Sequence, residues 1–225
     1  MQNVKRHTVY FLLLPDTLLI DMAGPADALL FANRYQKDIH FDLKFISPFP
    51  QIRSSVGLLL GELAPLPDEL EADAILILPG LVGMEFHYDT PEEKAAIRWL
   101  RQQVKPSNRL ICICSGALLA AHAGLLSNHA ATTHHDHCKD LANIDSSIRV
   151  EENRIFVEQG MVSTSAGVTA GIDLALHLIS QLAGPLTAHF RCSCPQHGRL
   201  YAPGRFRSTT VAVGHAQESY PSCGA

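Results

Sequence analysis

An open, doubly wound α/β fold, a mostly parallel sheet with helices on both faces, is predicted for this 225-residue sequence. Three observations predict it. The apolar runs VYFLLL (9–14), AILILPG (74–80) and LICIC (110–114) show no polar alternation, as expected of strands buried on both faces. Segments with helical signals separate them, the order that joins parallel strands by crossovers. With 47% apolar and 18% charged residues, the chain can bury one sizeable core and is short for two.

The elements follow in order. A buried strand at 9–14 leads to a helix from Gly24 to Gln36, and FDLKFIS (41–47) forms the next strand. The strand at 74–80 precedes a helix that opens at Thr90-Pro91-Glu92-Glu93. There Thr90 serves as N-cap, Pro91 takes the first helical position and Glu93 completes a capping box. The strand at 110–114 runs into a helix at 115–124. A polar segment follows, then short strands near RIFVE (154–158) and MVSTS (161–165), then a helix over 167–184. From Arg191 onward no strand or helix period survives, so 191–225 reads as an irregular tail behind a domain at 1–190.

Composition narrows the function classes. A formal net charge of −4 gives no sequence-wide basic field for nucleic acid or an anionic membrane. The early apolar run is split by Pro15 and Asp16, so neither a signal peptide nor a membrane span is expected. Six cysteines in a chain of this size do not call for a disulfide framework, which fits a reducing cytoplasm. No cofactor motif is evident.

In doubly wound sheets the reactive crevice lies at the carboxyl ends of the strands. Asp21, Gly80 and Cys114 each stand just after a strand end, so they are expected to converge there. In ICICSGALLAAHAG (111–124) a β-branched run stops at Cys114-Ser115-Gly116 and restarts as a helix, the pattern of a strained elbow that holds one side chain exposed above the sheet. Cys114 is either that nucleophile, its pKa lowered by the helix N-terminus, or a buried cysteine packing as a small hydrophobe. Cys112 is expected to point the other way, into the core. Asp21 is either the N-cap of the next helix or a carboxyl aimed at the cysteine. The turn PGLVG (79–83) offers backbone N–H groups of the oxyanion-hole kind. HHDHC (134–138) suggests zinc, but consecutive ligands are expected to point apart, so no metal site is assigned.

Taken together, FLLLPDTLLIDMAGPADALLFANR (11–34), RSSVGLLL (53–60), LILPGLVG (76–83), CSGALLAAHAGLLSNHAATTH (114–134) and TSAGVTAGIDLALHL (164–178) resemble the ThiJ/PfpI superfamily. They resemble most the amidase-like N-terminal domain of GlxA-type regulators of the AraC family. The resemblance implies a flavodoxin-like, class I glutamine amidotransferase-like fold. It places Cys114 on the elbow cysteine, Asp21 on the acidic position that bonds it, and His134 on a histidine near that cysteine in several members. Two positions depart from the family pattern. Ser115 stands where peptidase-like members carry histidine, and Gly80-Leu81 replaces a common Gly-Gly. Without an adjacent base, a cysteine is a poor hydrolase.

The resemblance therefore implies a ligand-sensing, dimerising domain for a small nitrogenous effector. Its pocket is expected beside Asp21, Gly80, Leu81, Cys114 and Ser115. DNA contact would belong to a C-terminal helix-turn-helix domain. The match stops at residue 191, and the tail can be read as an out-of-frame translation of the linker to that domain. The rival expectation is a cysteine-dependent enzyme resembling isonitrile hydratase, in which Cys114 attacks carbon and Asp21, with His134, moves protons.

Overall fold

The computed structural model of the chain describes residues 4–84 and 86–184. β1 (Lys5–Leu12) passes to α1 (Leu19–Tyr35) and on to β2 (Ile39–Ile46). A small hairpin, β3 (Ile52–Arg53) with β4 (Leu59–Leu60), precedes β5 (Ile75–Leu78). Next come α2 (Pro91–Gln103), β6 (Arg109–Ile113), α3 (Gly116–His122) and β7 (Ala130–Ala131). A 3₁₀ turn (His135–His137) leads into α4 (Cys138–Ile144) and β8 (Arg149–Val150). β9 (Phe156–Gln159), β10 (Val162–Ser165) and α5 (Thr169–Ala183) complete the described chain.

The main sheet has the order β2-β1-β5-β6-β10-β9, parallel throughout except for the antiparallel pairing of the edge strand β9 to β10. The chain leaves β1 first to one side and then to the other, so the switch point, where open α/β sheets bind ligands, falls between β1 and β5. Residues alternate between two cores. Tyr10, Leu12, Leu76, Leu78, Leu110 and Cys112 pack with Trp99, Leu100 and Leu119 on one face. Val9, Phe11, Ile75, Ile77, Ile111 and Ile113 pack with Leu29, Leu174 and Leu178 on the other. Burial on both faces is why these strands read as unbroken apolar runs.

The α2 start follows the expectation: Thr90 Oγ1 accepts from the Glu93 N–H at 3.2 Å, and Glu93 Oε2 accepts from the Thr90 N–H at 3.0 Å. α1 does not. It begins at Leu19 rather than Gly24, because the preceding turn is tied back: the Leu18 N–H donates to the Gly80 carbonyl at 2.8 Å. Pro25 therefore sits inside the helix, where it has no N–H for the Asp21 carbonyl. The polar segment after α3 holds β7, the 3₁₀ turn, α4 and β8, all too short to show a period in sequence. Among the described residues no helix is long and apolar enough to cross a membrane. The expected tail at 191–225 and the frame reading attached to it lie outside the described residues.

His7, near the start of β1, is 5% exposed and stacks on Phe41, and among the described residues neither ring nitrogen has a hydrogen-bond partner of good geometry. Burial, aided by Lys5, holds its pKa below the ordinary value, with Asp73 opposing. Folding therefore disfavours protonated His7, and its stability contribution is lost as pH falls through about 6.5. His7→Phe is expected to gain about 1 kcal/mol at neutral pH and to flatten stability between pH 7 and 5, read by urea denaturation.

Candidate functional site

Cys114 stands one residue beyond β6 with φ of 55°, a left-handed conformation that costs a non-glycine residue about 1–3 kcal/mol. A regular strand would turn Cys112 and Cys114 to the same face. The left-handed backbone instead sends Cys114 to the core face opposite Cys112. The elbow is present, but the expectation of an exposed side chain is corrected: Cys114 is 4% exposed, closed in by the segments on either side. Its N–H donates to the Ser165 carbonyl at 3.0 Å, and its own carbonyl accepts from Thr133 Oγ1 at 2.8 Å.

Asp21 lies in the first turn of α1, fully buried, and does not cap the helix; Leu18 holds that position with no side-chain bond. The Asp21 Oδ1 accepts from the Val168 N–H at 2.9 Å. Val168 has φ of 52°, an outlier for a β-branched residue, so two strained residues converge on one carboxyl. Oδ2 faces Gly80 and Cys114. Among the described residues it completes no hydrogen bond of good geometry, and the Gly80 N–H and Cys114 thiol are the donors turned toward it. The fit is tight: a Cβ on Gly80 would lie 2.5 Å from Oδ2, and one on Gly167 would lie 2.6 Å from the Cys114 Cβ. Gly167 also has φ of 104°.

Electrostatics follow from this enclosure. Burial raises the Asp21 pKa, opposed by the Val168 and Gly80 N–H groups and the Cys114 thiol. Burial, reinforced by the Asp21 charge, pushes the Cys114 thiol up to about 12, against a smaller pull from the Ser115 N–H. The thiol keeps its proton at neutral pH, the reverse of the activation that the helix N-terminus suggests.

Ser115 is buried and its hydroxyl works as a staple. It accepts from the Leu81 N–H at 2.8 Å and donates to the Leu81 carbonyl at 2.9 Å. The Val82 N–H donates to the Asp16 carbonyl at 2.9 Å. Two N–H groups of the turn after β5 are thus engaged, Leu81 on Ser115 and Val82 on Asp16, while that of Gly80 faces the Asp21 carboxylate without completing a bond. Beyond Leu81 opens a cleft of about 160 Å³ lined by Asp16, Leu81, Val82, Phe86, Tyr88 and Glu93. Tyr88 has φ of 48°, and its hydroxyl is buried without a hydrogen-bond partner among the described residues.

The structure brings Asp21, Gly80, Leu81, Cys114 and Ser115 together and leaves His134 aside. Among the described residues no hydrogen bond joins His134 to Cys114 or Asp21; its ring packs on His135, with centroids 4.2 Å apart, and its Nδ1 lies 3.4 Å from Asp136. The geometric premise that consecutive ligands point apart does not hold at residues 134–136, since the turn brings ligand atoms of His134, His135 and Asp136 within 4.8 Å of one another. Val168 and Tyr88 were not legible as site residues, because one contributes through a backbone N–H and the other stands in an irregular loop.

The sequence model of the DJ-1/PfpI family matches residues 7–181. An isonitrile hydratase of Pseudomonas putida is 33% identical over 181 residues, 79% of this chain and 73% of that protein. The HTH-type transcriptional regulator CdhR of Pseudomonas aeruginosa is 28% identical over 179 residues, 80% of this chain and 52% of the regulator. The chain thus spans about half the length of that regulator. Among solved structures, an AraC family transcriptional regulator from Pseudomonas putida superposes with a TM-score of 0.68 at 21% identity, covering 82% of this chain and 96% of that one.

Proposed function

This chain belongs to the DJ-1/PfpI family, and from that premise we propose that its α/β domain is the ligand-sensing, dimerising part of an AraC/GlxA-type regulator rather than a cysteine hydrolase. The observation that carries this reading is the Cys114 thiol: buried, protonated at neutral pH, and with Ser115 in the place of a base. A nucleophile needs the thiolate or a base that draws off its proton; Ser115 is no base, and the Asp21 carboxylate beside the thiol raises the thiol pKa instead of lowering it. The effector is a small nitrogenous metabolite such as an amino acid or quaternary amine. The cleft beside Leu81 suits it: the carboxylates of Asp16 and Glu93 attract a cation, the Phe86 ring lines the wall, and the Tyr88 hydroxyl is unpartnered among the described residues. Leu81 is stapled to Ser115, so ligand contact at the cleft bears on the elbow. Binding shifts a homodimer between two states only by its differential affinity for them, and DNA is read by a separate helix-turn-helix domain. The working compartment is the cytoplasm.

The Asp21–Cys114 pair and the isonitrile hydratase relative favour a second reading. In it the Cys114 sulfur adds to an isonitrile carbon, Asp21 relays the proton, and water releases a formamide and the free thiol.

One experiment separates the two. The protein and its Cys114→Ser and Tyr88→Phe variants are titrated calorimetrically with amino acids and quaternary amines, and formamide is assayed after incubation with an alkyl isonitrile. The sensor reading expects binding that Cys114→Ser leaves within about twofold and Tyr88→Phe weakens about tenfold, the worth of one buried hydrogen bond. Formamide production abolished in Cys114→Ser would replace it with the enzyme.

A further inference from the structure

We propose that His134, His135 and Asp136 form a three-ligand site for a borderline divalent cation such as Zn²⁺, on the strap that braces the cysteine elbow. The inference is independent of the sensor reading. His134 caps the 3₁₀ turn from outside with φ of −57° and ψ of 139°, and this bend at the turn's entrance brings its ring against the side chains of the first two turn residues, His135 and Asp136. The Asp136 carboxylate reaches both rings at once, with Oδ2 3.4 Å from His134 Nδ1 and Oδ1 3.2 Å from His135 Nε2. A tetrahedral ion with ligands at about 2.0–2.2 Å holds its ligand atoms roughly 3.3–3.5 Å apart, and each imidazole nitrogen stands near that distance from one of the two Asp136 oxygens. Ligand atoms of all three residues already lie within 4.8 Å, so a modest ring rotation closes the set.

The donor set decides the class of ion. Two imidazoles and one carboxylate suit Zn²⁺ or its neighbours, whereas Mg²⁺ and Ca²⁺ require mostly oxygen. Side-chain exposures of 79% for His135 and 58% for Asp136 leave a path in and a coordination position for water. The turn is anchored on its inner side. His137 is held by Asp140 at 3.0 Å and meets the Phe86 ring edge-on, and the Cys138 thiol donates to the His134 carbonyl. Thr133, next to the site, donates to the Cys114 carbonyl, so an ion here pins the residues that hold the elbow.

The test uses the full chain stripped with chelator. Zn²⁺ is titrated calorimetrically, Co²⁺ by absorption, and thermal midpoints are recorded with and without Zn²⁺. His135→Ala and Asp136→Asn are the variants, since both side chains project from the surface; His40→Ala, another exposed histidine beside an aspartate, is the control. The expected result is one Zn²⁺ bound with a raised thermal midpoint, affinity lowered at least about tenfold in each variant, and no change in the control. A parent that binds no Zn²⁺, or an isotherm untouched by both variants with Co²⁺ showing thiolate charge-transfer absorption, would overturn the proposal.

Discussion

Gly116→Ala is expected to cost about 3 kcal/mol of stability, the largest loss a single methyl group should cause in this fold. Gly116 opens α3 directly behind the elbow. A Cβ there would lie 2.1 Å from the Leu78 carbonyl oxygen, 2.8 Å from its carbon and 3.0 Å from the Pro79 oxygen. These are backbone atoms at the end of β5, which pairs on both sides within the sheet, so they cannot swing aside as a flexible side chain would. Relief requires α3 to back away from β5 or the β5 end to bend. Either movement displaces Gly80 and Cys114, which together enclose Asp21. The loss of stability should therefore come with a disturbed site, seen as faster alkylation of Cys114 in the folded variant. Gly61→Ala is the control, because its Cβ would meet nothing within 4 Å; it should fall within about 0.5 kcal/mol of the parent. Urea midpoints at unchanged slope measure both. Equal midpoints for the two variants would mean that α3 is not seated against β5 as described.

The contrast between legible and illegible features has a physical basis. Strands buried on both faces advertise themselves by composition, and the Thr90–Glu93 capping box announces α2 because its two hydrogen bonds are local. The convergence of Asp21, Gly80 and Cys114 follows from the rule about strand ends, and they do meet. The start of α1 is not legible, because Gly24-Pro25 looks like a helix entrance while the actual entrance depends on a bond from Leu18 to the distant Gly80 carbonyl. Val168 was invisible for a similar reason: its role rests on a strained backbone aimed at a carboxyl 147 residues earlier. Ser115 is expected to line the ligand pocket, whereas its hydroxyl closes on Leu81. Local chemistry can be read from neighbours in sequence; these misses all depend on tertiary partners.

Above pH 9, Cys114→Ser is expected to gain on the parent by about 1.4 kcal/mol for each further pH unit, or roughly 3 kcal/mol by pH 11. The sign follows from the two thiol pKa values. The unfolded thiol ionises near 9.0, while burial and the Asp21 charge hold the folded one up to about 12. Between those limits the folded state keeps a proton that the unfolded state releases, so stability present below pH 9 is lost as pH rises toward 12. Cys112 and Tyr88 are also buried and pushed up, Tyr88 with help from the Glu93 charge, so the variant will still weaken in alkali. The difference between parent and variant isolates Cys114. Asp21 acts in the same sense at the acid end: its raised pKa means stability declines as pH rises above about 4, and Asp21→Ala should lack that decline. Urea denaturation of the parent and Cys114→Ser from pH 8 to 11 decides the matter. A parallel pair of curves would show that the folded thiol ionises as freely as the unfolded one. Cys114 would then be a competent nucleophile, and the argument that favours a sensor over an isonitrile-hydrating enzyme would lose its foundation.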